Sequence, residues 1–128
     1  MDEINKNLNI KIRRDEAAYA FRKYARLGLD RCEMKPFEAY ARMRGVSKSE
    51  CDAVKLLAVY DTMRLLKFID SESESAVRAV YFADRGRYPL KNQTSERILR
   101  FADENHLDER TVYRRLKRAK ELYYSLFS

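Results

Sequence analysis

Apolar residues recur at intervals of three and four along most of this chain, the period of helices packed on one side. From about Arg13 to Leu27, Ala17, Phe21, Tyr24 and Ala25 form such a row, and Gly28 is a natural stop. Pro36 suits a first helical turn, where its missing N–H is not needed; that helix runs to Arg44 and ends at Gly45. Ser47-Lys48-Ser49-Glu50 has the S-x-x-E form of a capping box and opens the longest predicted helix, roughly 48 to 69. Val54, Leu57, Ala58, Leu65 and Phe68 lie on one of its sides, and Leu56, Val59, Met63 and Leu66 on the other. A helix apolar on both sides is expected to be buried on both, as a spine between two halves or as part of a subunit interface.

Ser71-Glu72-Ser73-Glu74 is a second S-x-x-E, and its acids suit a helix start. The helix is expected from about 72 to 84, burying Val77, Val80 and Tyr81. Asp84-Arg85-Gly86-Arg87-Tyr88-Pro89 reads as a loop. Thr94 or Ser95 then caps a helix to about Asn105, with Ile98, Leu99 and Ala102 inward. His106-Leu107 makes a tight turn, and Asp108 caps a last helix from Glu109 to about Leu126. Residues 1 to 12 read as a polar arm in which Leu8, Ile10 and Ile12 alternate with polar residues, a short strand or an extended tail docked on the body. The expected fold is all-α, with five or six helices. Residues 1–70 form a helical half with the spine and 71–128 a second half, either as two units or as one compact domain.

Composition supports the helical reading. Ala and Leu occur 13 times each, whereas Val, Ile and Thr total 14, a balance that disfavours a sandwich or barrel. There is no apolar signal core in Met1 to Arg14 and no apolar run of about 18 residues, so neither export nor a membrane span is expected. Cys32 and Cys51 make no metal quartet and no disulfide framework; they read as reduced thiols in a cytoplasm, used as small core residues. The formal charge of +7 on 128 residues raises the odds of a polyanionic partner.

Its distribution says more. Residues 110 to 120 hold six basic side chains and no acid: Arg110, Arg114, Arg115, Lys117, Arg118 and Lys120. Residues 70 to 84 go the other way, with four acids against Arg78. At about 100° per residue, Val112, Leu116, Ala119, Tyr123 and Leu126 fall within about 40° of one line. Arg110, Arg114 and Lys117 fall opposite, Tyr113, Lys120 and Tyr124 flank one edge, and Thr111 and Arg118 the other. Upstream, Ala102, the turn at His106-Leu107, the cap at Asp108 and the apolar Val112 and Leu116 have the spacing of a helix-turn-helix. Such a helix presents its N-terminal residues to base edges in a major groove. Arg110, Thr111, Tyr113 and Arg114 are therefore the candidates for base contact, and Lys117, Arg118 and Lys120 for phosphates. Arg115 points near the core edge and is expected to pair within the chain, with an acid such as Asp103 or Glu104.

The string Thr111-Val112-Tyr113-Arg114-Arg115-Leu116-Lys117-Arg118-Ala119 resembles the recognition helix in region 4 of bacterial sigma factors, which typically reads T-V-x-x-R-L-x-R-A after E-I-A-x-x-L-G-I-S. Here the usual Gly is His106 and the usual Ser is Asp108. Val80-Tyr81-Phe82 resembles the helix preceding that motif, so the likeness covers about residues 72 to 125. The same segment resembles phage late-gene transcription regulators of the ArpU and RinA type. The resemblance implies promoter or operator binding on double-stranded DNA and transcription regulation. It includes no counterpart of the sigma segment that melts promoters.

Ala41, Gly45, Val46 and Ser47 repeat the spacing of Ala102, His106, Leu107 and Asp108, offset by 61 residues. The positions that would face DNA hold Glu50 and Asp52, so this reads as an ordinary helical hairpin. No Gly-rich phosphate loop, metal-spaced cluster or nucleophile–base arrangement is present; no catalytic residue, metal or cofactor is assigned, and an enzyme is not expected. His106 reads as a surface turn residue. The first half would support the DNA reader, hold a partner such as RNA polymerase, or form a homodimer. The competing reading is a helical interaction module that contacts RNA polymerase or a phage packaging component without reading DNA.

Overall fold

The structure, a computed structural model, describes residues 16–84 and 93–127. The predicted arm over 1–12 and the loop at 85–89 lie outside the described residues. The described residues form six α-helices and no strand. They are α1 (16–26), α2 (Pro36–Val46), α3 (Glu50–Ile69), α4 (Ser71–Val80), α5 (Gln93–Glu104) and α6 (Glu109–Ser125). Short 3-10 turns occupy Leu29–Arg31 and Phe82–Asp84.

The expected boundaries hold to within a few residues, and the shifts have local causes. α3 is capped by Ser49, whose hydroxyl accepts from the Asp52 N–H at 3.2 Å, and not by Ser47. α4 is capped by Asp70, whose carboxylate accepts from the Ser73 N–H, so the helix begins at Ser71. In both cases the capping oxygen lies three residues before the donor it satisfies, the ordinary N-cap register. α4 ends at Val80 and the chain tightens into the 3-10 turn, short of the expected unbroken helix to 84. α5 begins at Gln93, ahead of both predicted caps, and α2 runs one residue past Gly45.

One hydrophobic cluster draws on both halves of the chain. Phe21 of α1 stacks on Tyr81 at 5.7 Å between centroids and meets Tyr123 of α6 at 5.7 Å. Tyr24 stacks on Phe82. The Ala17 N–H donates to the Tyr124 hydroxyl at 3.2 Å, so α6 supplies an acceptor to α1. Burial, helped by the Glu16 carboxylate, pushes the Tyr123 phenol well above its ordinary range. α4 packs against α3, α5 and α6, while α2 lies along α3. The Tyr60 hydroxyl donates to the Met34 carbonyl at 2.7 Å and fixes the chain leading into α2.

The two-sided burial expected of α3 is corrected. Leu56, Val59, Met63 and Leu66 are buried, together with Ala58. Val54, Leu65 and Phe68 are exposed, Phe68 by 82%. The reason is uneven coverage: α2, α4 and α6 pack along α3 and α1 pairs with it through Lys23–Asp52 and Lys55–Glu16, so that Leu57 is partly buried while Val54, Leu65 and Phe68 stay open. Burial also lifts the Asp61 carboxyl above its ordinary range, against the nearby Arg64 charge. Cys32 and Cys51 are both exposed, which corrects their reading as core residues. No described helix is long and apolar enough to cross a membrane.

Candidate nucleic-acid interface

The connection between α5 and α6 is a Schellman-type turn. The Leu107 N–H donates to the Ala102 carbonyl at 2.8 Å and the His106 N–H to Asp103 at 3.2 Å. His106 has φ 54, the left-handed conformation that glycine adopts at least cost. The turn therefore forms where the spacing placed it, with a strained residue in the glycine position. Asp108 then caps α6: its carboxylate accepts from the Arg110 N–H at 3.3 Å, and its carbonyl accepts from Thr111 at 3.0 Å.

Val112, Leu116, Ala119 and Tyr123 are buried, as the 100° arithmetic required. Ala102 and Ile98 face them from α5. Two inward residues are corrected. Leu99 is 52% exposed, because only a narrow strip of α5 is covered and Leu99 lies beyond its edge. Leu126 follows the last helical residue and is 39% exposed.

The cations divide into three groups. Arg110, Arg114 and Lys117 point outward, with Tyr113 beside them 47% exposed and Thr111 half-buried. Lys117 Nζ lies 4.0 Å from Glu121 across one turn, a loose surface pair worth little. On one edge, Arg115 reaches Glu72 at 3.2 Å and Arg118 reaches Asp70 at 2.9 Å. The intramolecular pair expected of Arg115 forms, with Glu72 on α4 and not with an α5 acid such as Asp103 or Glu104. The Arg115 side chain is 19% exposed and directed across the packed α4–α6 contact. On the other edge Lys120 is half-buried, its ammonium 5.5 Å from the Tyr81 centroid.

Asp70 serves two elements at once. Partial burial alone would raise its carboxyl. Hydrogen bonds from the Ser73 hydroxyl, Arg118 and the Ser73 N–H, with the Arg118 charge, outweigh that and hold it below the usual carboxylate range. Asp70 and Glu72 did not emerge as site residues from sequence reading. Their signal was present in the acidic stretch 70–84, opposite in sign to the basic stretch 110–120; the two meet across the α4–α6 contact.

A groove of about 980 Å³ runs along the Tyr113–Tyr124 edge of α6, with α1 and the start of α5 on its other side. Lys117 and Lys120 line it, so this edge of the basic helix borders a concave surface. Among the described residues, no group of three or more His, Cys, Asp or Glu side chains is placed to hold a metal ion.

No protein-family model matches the chain, and neither a curated protein nor a solved structure does.

Proposed function

We propose that the chain binds double-stranded DNA through α5, its turn and α6 acting as a helix-turn-helix, and that it regulates transcription. The observation that carries this reading is the division of α6. Its apolar face is locked into the core by Val112, Leu116 and Ala119, while Arg110, Arg114 and Lys117 project outward beside Tyr113. A rigid helix with an N-terminal cap and an outward cationic face has the form that enters a major groove. Arg110, Thr111, Tyr113 and Arg114 would meet bases, and Lys117 the phosphates. Arg118 and Lys120 contribute less than their sequence positions imply, because one is held by Asp70 and the other faces the groove. The reading carries with it a cytoplasmic site of action and a phage or mobile-element setting, which rests on the resemblance of this segment to phage late-gene regulators.

The test is binding of the full chain to duplex selected from a random pool, followed by fluorescence anisotropy across salt. With three to six phosphates neutralised, log affinity is expected to fall against log salt with a slope of about −3 to −5. Arg114→Ala should relax preference at one or two base positions, whereas Lys117→Ala should weaken all sequences alike. Absence of duplex binding at low salt would sink the reading.

A further inference from the structure

We propose that the groove beside α6 is a nucleoside-phosphate site, with aromatic walls for the base and a cationic end for the phosphate. The base would be taken by Tyr19, 55% exposed on α1, and Tyr113, 47% exposed on α6, which line the groove with Ile98 and Leu116 at its apolar part. Such rings accept any base, since every base offers a π face.

The phosphate end is set by Tyr81. The Arg22 guanidinium carbon lies 5.2 Å and the Lys120 ammonium 5.5 Å from the centroid of that one ring. Both cations thus border one ring and both line the groove, which gathers positive charge at this end of it. Arg22 also donates to the Thr94 hydroxyl at 2.7 Å, and Thr94 and Ser95 line the groove at the start of α5. Lys117, in a loose pair with Glu121, adds a third cation, and Glu121 is the one acid among the described lining residues. The surplus of positive charge selects an anion. The volume, about 980 Å³, lies at the upper end of the range for small-molecule sites and admits a nucleotide. The inference rests on the DNA-binding reading only in sharing Tyr113, Lys117 and, in smaller part, Lys120 with it.

The nucleoside phosphate has two sources, a free nucleotide or a nucleotide of a single strand, and the experiment separates them. Full-length chain is titrated with AMP, with ATP and with a fluorescent six-residue oligothymidylate, followed by NMR shifts and by anisotropy; duplex binding is measured in parallel. Saturable binding of AMP or ATP, weakened about tenfold by Tyr19→Ala and by Lys120→Gln, assigns the site to free nucleotides. Saturable binding of the oligonucleotide alone, with the same sensitivity, assigns it to a strand. Circular dichroism checks that both variants fold, and the exposure of Tyr19 makes that the expected result. Arg114→Ala, which lies outside the groove, should leave either affinity within twofold while weakening duplex binding. Nucleotide binding that persists in a chain without duplex affinity would uphold the site and remove the duplex reading. Failure of all three probes to saturate at millimolar concentration, or binding indifferent to Tyr19→Ala, would overturn the proposal.

Discussion

At the end of α2, Ala41, Gly45, Val46 and Ser47 stand at the same intervals as Ala102, His106, Leu107 and Asp108 at the end of α5. Only the second set makes a tight turn. Ala102 is buried against α6, His106 takes the left-handed conformation, and Leu107 donates back to the Ala102 carbonyl. At the first junction Ala41 is exposed; Ala39 and Met43 face the core instead. Gly45 stays helical, and the chain leaves through an extended Ser47 to a cap at Ser49. The helices that follow also differ on their outer faces. α6 presents Arg110, Arg114 and Lys117, and α3 presents Val54, Leu65, Phe68 and Ile69. Equal spacing therefore does not make equal modules. What decides is whether the small residue lies at the helix crossing and whether a residue in the turn accepts positive φ.

The largest effect that should separate the two regions is a core truncation. Leu116→Ala, at 3% exposure, is expected to cost about 2–5 kcal/mol in urea unfolding. Leu65→Ala, on the open face of α3, should cost less than about 1 kcal/mol. Equal losses would mean that the outer face of α3 is covered in solution. Next comes the small residue itself. Ala102→Leu should overpack the α5–α6 contact and destabilise by about 1–3 kcal/mol, while Ala41→Leu should stay within about 0.5 kcal/mol.

The Asp70 contacts give a smaller, pH-dependent contrast. Its folded carboxyl titrates below the unfolded one, so its contribution is complete above the ordinary carboxylate range of about 4. That contribution is lost as pH falls through the lowered folded value. Asp70→Asn should therefore reduce stability at neutral pH and flatten the acid limb of the stability curve, with the two proteins converging once pH falls below the lowered folded value. A parallel acid limb in the variant would show that Asp70 is not its source. The smallest pair concerns the backbone. Gly45→Ala meets nothing within 4 Å and should stabilise by roughly 0.5–1 kcal/mol, whereas Gly28→Ala, at φ 74, should destabilise by about 1 kcal/mol. His106→Gly should raise the melting temperature slightly by removing left-handed strain.

Much of this architecture was legible because it is local. Period, Pro36, the turn at His106-Leu107 and the Asp108 cap placed α2, α5 and α6, and the burial of Val112, Leu116 and Ala119 followed from helical geometry alone. The errors fall where a choice was tertiary or nearly degenerate. Alternating Ser and Glu offer several nearly equivalent caps, of which α3 uses Ser49, while α4 uses the Asp70 just ahead of its Ser-Glu run. The partner of Arg115 is 43 residues distant and reaches it only through the α4–α6 packing. The exposure of Leu99, Phe68 and the cysteines depends on which sides of each helix find a neighbour, which no single helix encodes. The groove combines α1, Tyr81, α5 and α6, and no local string marks it.

The contact between Ala17 and Tyr124 spans 107 residues of chain. At about 5–20 residues per second, synthesis separates the two by roughly 5–20 s. During that interval Phe21 has neither Tyr81 nor Tyr123 to pack against at first, and then only Tyr81. The nascent protein thus carries an incomplete aromatic core until α6 emerges. A ribosome stalled before residue 123 should hold a chain that proteases cut readily within α1, and release of the last helix should close that window.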